Sequence, residues 1–117
     1  MKIGSRIICI LLAAVLLCGC VAHQLELWVE GICLVTDNGS VLLVARDEPI
    51  VLNDRSADGQ LLTGLQTGDR VRVLHDGIAE SFPARASIYR LEKLGQGSLD
   101  EISPHLLDTL RDMGWIS

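Results

Sequence analysis

Apolar residues in this chain fall into three regimes. There is an unbroken run near the N-terminus, a series of alternating stretches through the middle, and one short stretch at helical spacing near the end. The middle regime predicts strands, in which successive side chains point to opposite faces. Leu25 to Thr36 reads as a long first strand. Leu25, Leu27, Val29, Gly31, Cys33 and Val35 share one face, and Glu26, Trp28 and Glu30 begin the other. Gly31 in mid-strand predicts a bulge or bend. Asp37-Asn38-Gly39 predicts a tight hairpin turn, because Asn-Gly tolerates positive φ angles. Ser40 to Ala45 is the returning strand, Arg46-Asp47-Glu48-Pro49 a second turn, and Ile50-Val51-Leu52 a short third strand.

Asn53 to Gln60 is polar, carries the turn signal Asp58-Gly59, and is expected to be a mobile loop. The segment Leu61 to Val73 then joins a leucine-bearing connection, a Gly68-Asp69 turn and an alternating Val-Arg-Val strand. Val71 and Val73 are expected to point inward, with Arg70 and Arg72 solvated. Asp76-Gly77 is expected to close that strand. Arg85 to Leu94 is the fifth, with Ala86, Ile88 and Arg90 opposed to Ser87, Tyr89 and Leu91. Five short strands in this order predict a mainly β fold, a small five-stranded OB-like Greek-key barrel over residues 25–95.

The period changes in residues 96–117. Ser98-Leu99-Asp100-Glu101 fits a capping box, but Pro104 disfavours helical geometry at Ser103. Ser103 as N-cap with Pro104 in the first turn is the better start. Leu106, Leu107, Leu110 and Met113 then form one apolar stripe, and Gly114 ends it. This short C-terminal helix is expected to plug one end of the barrel, the alternative being a partner-docking helix, with Trp115 and Ile116 folding back onto the barrel or packing under the helix.

The N-terminal regime is a secretory signal. Lys2 and Arg6 precede the apolar run Ile7 to Leu17, and small residues follow. Ile7 to Ala22 is 16 residues, short of the roughly 20 that span a bilayer. Leu17-Cys18-Gly19-Cys20 has the form of a lipobox, with a small residue directly before a cysteine. The expected chemistry is attachment of diacylglycerol to the Cys20 thiol, followed by cleavage between Gly19 and Cys20. Residues 1–19 are then a cleaved lipoprotein signal peptide and 20–24 the lipidated N-terminus and tether. Four residues, Val21 to Gln24, reach about 14 Å fully extended, which keeps the domain near the headgroups. The expected location is the extracytoplasmic face of the cell membrane.

Cleavage changes the composition. Loss of Lys2 and Arg6 lowers the basic count from 10 to 8 against 15 acidic residues, so the mature 98 residues carry −7. That balance argues against nucleic acid as a partner and against attraction to anionic lipids. Membrane contact is accordingly expected through the Cys20 lipid. Of four cysteines, Cys9 and Cys18 leave with the signal and Cys20 takes the lipid. Cys33 alone remains, a small core residue with no partner for an intramolecular disulfide. No CxxC motif or zinc-type spacing occurs, and neither metal nor cofactor is expected.

The Gly68-Asp69-Arg70-Val71 strand and the segment Asp76-Gly77-Ile78-Ala79-Glu80-Ser81-Phe82-Pro83-Ala84 together carry a resemblance. From about Val29 to Leu94 the chain resembles the small YobA-like secreted and lipoprotein domains of Gram-positive bacteria. Phe82 stands where that family often has tyrosine. The resemblance implies an OB-like barrel in the cell envelope and no established enzymatic activity. Asp76, Gly77 and Pro83 make sense as turn residues. Asp76, Glu80 and Ser81 are the candidate site residues, for a ligand or cation with His75 at a barrel mouth, or as a structural loop. Glu80 is expected to accept backbone hydrogen bonds. No GxSxG elbow surrounds Ser81, which argues against a nucleophile. Two functions are expected from these readings: a non-catalytic binding or interaction module with an envelope protein partner, or an enzyme, inhibitor or cation-binding protein using the 76–84 loop.

Overall fold

A computed structural model describes residues 27–117. The signal peptide, Gly19, Cys20, the tether and the first two residues of the expected first strand lie outside the described residues. Five strands close into a barrel: β1 (Leu27–Val35), β2 (Val41–Ala45), β3 (Glu48–Asp54), β4 (Asp69–Ala79) and β5 (Ala84–Gln96). β1 pairs antiparallel with both β2 and β4, β2 with β3, and β4 with β5; β3 and β5 run parallel. A 3₁₀ turn, Leu99–Glu101, and one helix, α1 (Pro104–Asp112), complete the chain.

The barrel has two cores because its first strands are apolar on both faces. Cys33, Leu43, Ile50, Leu52, Val71, Val73, Ala86 and Ile88 fill the interior. Ile32, Leu34, Leu42, Val44 and Val51 point outward and are covered by Ile102, Leu106 and Leu110. The helix therefore does not plug a barrel end. It lies on the outer face of β1, β2 and β3, with Leu107, Trp115 and Ile116 packed beside it. The interior is instead closed by the leucine-bearing connection, whose Leu61, Leu62 and Leu65 pack against the inner cluster. Met113, at the end of the stripe, is 47% exposed.

Local chemistry fixes each connection. In the first hairpin Gly39 has φ +87°, and the Asn38 side-chain oxygen accepts from Ser40 N at 3.1 Å and Thr36 Oγ1 at 2.6 Å. Arg46 and Asp47 both have positive φ, 51° and 63°, which is the two-residue hairpin geometry that matches strand twist. Asp54 ties the ends of the polar loop. Its carboxylate accepts from Ser56 N, Ser56 Oγ and Leu61 N at 2.6–2.9 Å. The buried Asp69 accepts from Gln66 N at 2.9 Å and meets Lys93 Nζ at 3.4 Å. Gly31 sits where β1 stops pairing with β4 and crosses onto β2. A Cβ there would run into the Val44 carbonyl group, 2.8 Å from its carbon, so only glycine lets the two backbones approach.

Three expected strand details differ. The third strand is longer than residues 50–52, running from Glu48 to Asp54 into the expected turn and loop. Asp76-Gly77 does not end the fourth strand. β4 continues to Ala79 through an irregularity between His75 and Ile78, where Gly77 takes φ +143°. On β5 the register slips at Tyr89, since Leu74 pairs with Arg90 but His75 with Ile88. That bulge turns Leu91 toward the inner cluster and leaves Arg90 exposed, the reverse of simple alternation.

The tail is stitched to both ends of the outer face. Ser98 forms a capping box with Glu101, and Ser103 caps α1 by accepting from Leu106 N at 3.1 Å. Ser103 N donates to Asp47 Oδ1 at 2.9 Å, binding the start of α1 to the β2–β3 turn. At the other end Asp37 N donates to Trp115 O at 3.0 Å. Gly114, at φ +85°, makes the turn between them.

Candidate functional site at one barrel end

Strand directions gather a defined set of elements at one end. The registers Leu27↔His75, Ala45↔Glu48, Ile50↔Ala84 and Ile78↔Ala86 place the start of β1, the β2–β3 turn, the end of β4 and the β4–β5 loop together. β1 pairs with β2 only from Ile32 onward, so its first residues diverge from the β2–β3 hairpin. The divergence opens a cleft of about 720 Å³ lined by Trp28, Glu30, Arg46, Glu48, Arg70 and His75 among others. A second cleft of about 400 Å³ lies between Glu48, Pro49, Glu80, Ser81 and Phe82. The two clefts are neighbours at the barrel mouth and share Glu48 and Ile78 in their linings.

Charged residues hold the first cleft's wall. Arg70 is paired with Glu101 and lies 3.6 Å from Glu30. Arg72 bonds Glu92 at 2.7 Å, and its guanidinium stands 4.6 Å from the centre of the Trp28 ring. These partners raise the pKa of both arginines, and the Arg72 hydrogen bond lowers that of Glu92. Glu101 is lowered first by its bond from Ser98 N and then by Arg70.

The expected site residues are only partly brought together. Glu80 and Ser81 line the second cleft. Asp76 instead faces a separate hollow with Asn53, Arg85 and Ser87, where Tyr89 Oη donates to its Oδ2 at 2.7 Å. That bond holds the tyrosine proton and raises its pKa. His75 Nδ1 accepts from Gly77 N at 3.0 Å, and Ser81 Oγ donates to Pro83 O at 2.7 Å. Ser81 and His75 are thus each engaged with backbone and not with one another. Glu80 is exposed, and among the described residues no hydrogen bond or ion pair involves it, so it is not the backbone acceptor expected from sequence. Among the described residues no group of three or more His, Cys, Asp or Glu is placed to hold a metal ion. Cys33 is fully buried in the interior, and burial followed by the nearby Asp69 charge pushes its thiol up to about 12.

The residues missed by sequence reasoning are Trp28, Arg46 and Glu48. Their signal was the first strand: the polar face begun by Glu26, Trp28 and Glu30 gives way to apolar Ile32, where pairing with β2 begins. Comparison with known protein families, curated proteins and solved structures found no match to this chain. Among the described residues no helix is long and apolar enough to cross a membrane.

Proposed function

We propose that this chain is a lipid-anchored, extracytoplasmic binding module built on an OB-like Greek-key barrel. The strand order β1-β2-β3-β5-β4, closing back on β1 with β3 parallel to β5, supports the OB-like reading. The lipobox Leu17-Cys18-Gly19-Cys20 after a basic and then apolar leader supports the anchor. The observation that carries the binding reading is the pair of neighbouring clefts at the barrel mouth, the first lined by charged side chains together with Val29 and Ile50. Concave sites with a few convergent polar groups are where small barrels take ligands. An envelope protein or small molecule meeting that cleft fits better than an oligonucleotide, because the chain is acidic overall and Arg70 in the cleft is paired with Glu30 and Glu101. Fold alone assigns no ligand.

The enzyme reading has weaker support, since the Ser81 hydroxyl donates to Pro83 and has no base beside it. The anchor is tested by metabolic labelling with fatty acid. Wild type takes up label and partitions into detergent, whereas Cys20→Ala stays unlabelled and keeps its leader. Equal labelling of both would end the lipoprotein reading.

A further inference from the structure

The cleft end of the barrel is also the tethered end, and it carries exposed apolar side chains. Leu27 is 50% exposed, Ile78 40% and Phe82 54%. Leu27 pairs with His75 on β4, Ile78 follows three residues later, and Ile78 and Phe82 line one cleft. Six residues separate Cys20 from Leu27, about 24 Å when fully extended. A lipid on Cys20 therefore holds the start of β1 close to the bilayer. Tyr89, Leu94, Leu99 and Met113 are exposed as well, but none of them lines either cleft, and α1 finishes at the β1–β2 turn.

We propose that Leu27, Ile78 and Phe82 rest in the headgroup layer of the membrane, so that the cleft opens onto lipid headgroups. This rests on the lipid-anchor reading and names the surface that the same site meets. The contact is apolar and not electrostatic. Asp47, Glu48, Asp76 and Glu80 outnumber Arg46 and Arg85 at this end, which disfavours anionic lipid. The two acyl chains of the diacylglycerol supply the anchoring, and a short apolar rim adds to them by taking more apolar surface out of water. It also fixes the barrel's orientation, which a single attachment point at Cys20 alone does not.

The test uses the full chain, processed and lipidated in cells, reconstituted into phosphatidylcholine vesicles with and without phosphatidylglycerol. Single cysteines at Phe82→Cys, Ile78→Cys and, at the far end, Asp58→Cys carry an environment-sensitive fluorophore. Cys33 is buried with its thiol pushed up to about 12, so it does not compete for the label. The labels at 82 and 78 should shift to shorter wavelength and be quenched by a lipid-borne quencher, while the label at 58 stays aqueous. Phosphatidylglycerol should not strengthen the shift. Aqueous emission at 82 and 78 on protein that still floats with vesicles would overturn the proposal and leave the anchor standing. Shielding without lipid quenching would mean that another protein copy covers the rim, and would also overturn it. Protein that does not float with vesicles would fail the anchor reading, and the proposal falls with it.

Discussion

Replacing Leu110 by alanine removes three carbons from a side chain that is fully buried between α1 and the outer face of β1, β2 and β3. At about 0.8 kcal/mol per buried carbon, the lost transfer free energy alone is roughly 2.4 kcal/mol. The cavity left behind adds to this, and Leu→Ala changes in packed cores cost about 2–5 kcal/mol. A nine-residue helix held at both ends by the Asp47–Ser103 and Asp37–Trp115 bonds can settle only partly into the gap. The expected cost is therefore about 3 kcal/mol, or a melting temperature lower by roughly 12–24 °C for a domain of this size. Met113→Ala, on the same stripe but 47% exposed, is the control and should cost about 1 kcal/mol or less. Thermal and urea melts of wild type and both variants, followed by circular dichroism, supply the comparison. A Leu110→Ala cost equal to that of Met113→Ala would refute the idea that the helix completes a second core.

Gly31→Ala should be strongly destabilising although it adds one carbon, because that carbon meets the Val44 carbonyl and not a side chain that can move; an unchanged urea midpoint would contradict the close approach of β1 and β2. Glu80→Gln should leave the melting temperature unchanged with and without calcium, since Glu80 is exposed and makes no bond; a calcium-induced rise in wild type that the variant lacks would instead favour a cation site. Stability should also depend on pH from both sides. Asp47, Asp54, Glu92 and Glu101 have lowered pKa values, so their contribution is present above the ordinary carboxylate range and is lost as pH falls through the lowered values. Cys33 works oppositely: its folded value near 12 exceeds the ordinary 9.0, so stability falls as pH rises above 9.0. Melting temperatures between pH 2 and 11 that stay flat at both limbs would rule this out.

Much of the barrel was legible because local chemistry agreed with the final fold. Val71 and Val73 alternate with arginines and do face inward, at 0% exposure. Ser103-Pro104 and Gly114 bound the helix as capping rules require. The position of that helix was misread, although a signal existed. Ile32 to Val35 and Val41 to Ala45 are continuous apolar runs, which is the pattern of strands covered on both faces. The bulge at Tyr89 was not legible, because register slips are set by the partner strand and not by the residue that bulges. For the site, spacing in sequence suggested that Asp76, Glu80 and Ser81 act together. The extension of β4 through Gly77 separates Asp76 from the other two. The cleft depends on where β1 leaves β2; the switch from polar Glu30 to apolar Ile32 marks that point on β1, but which strand it pairs with is a long-range matter.

Attachment of this barrel to the membrane through Cys20 is tested most directly at the N-terminus of the mature protein. Mass spectrometry of the protein purified from membranes should find a chain beginning at Cys20 with a diacylglycerol group on its sulfur. A chain that begins at any other residue, or an unmodified Cys20, would contradict the claim.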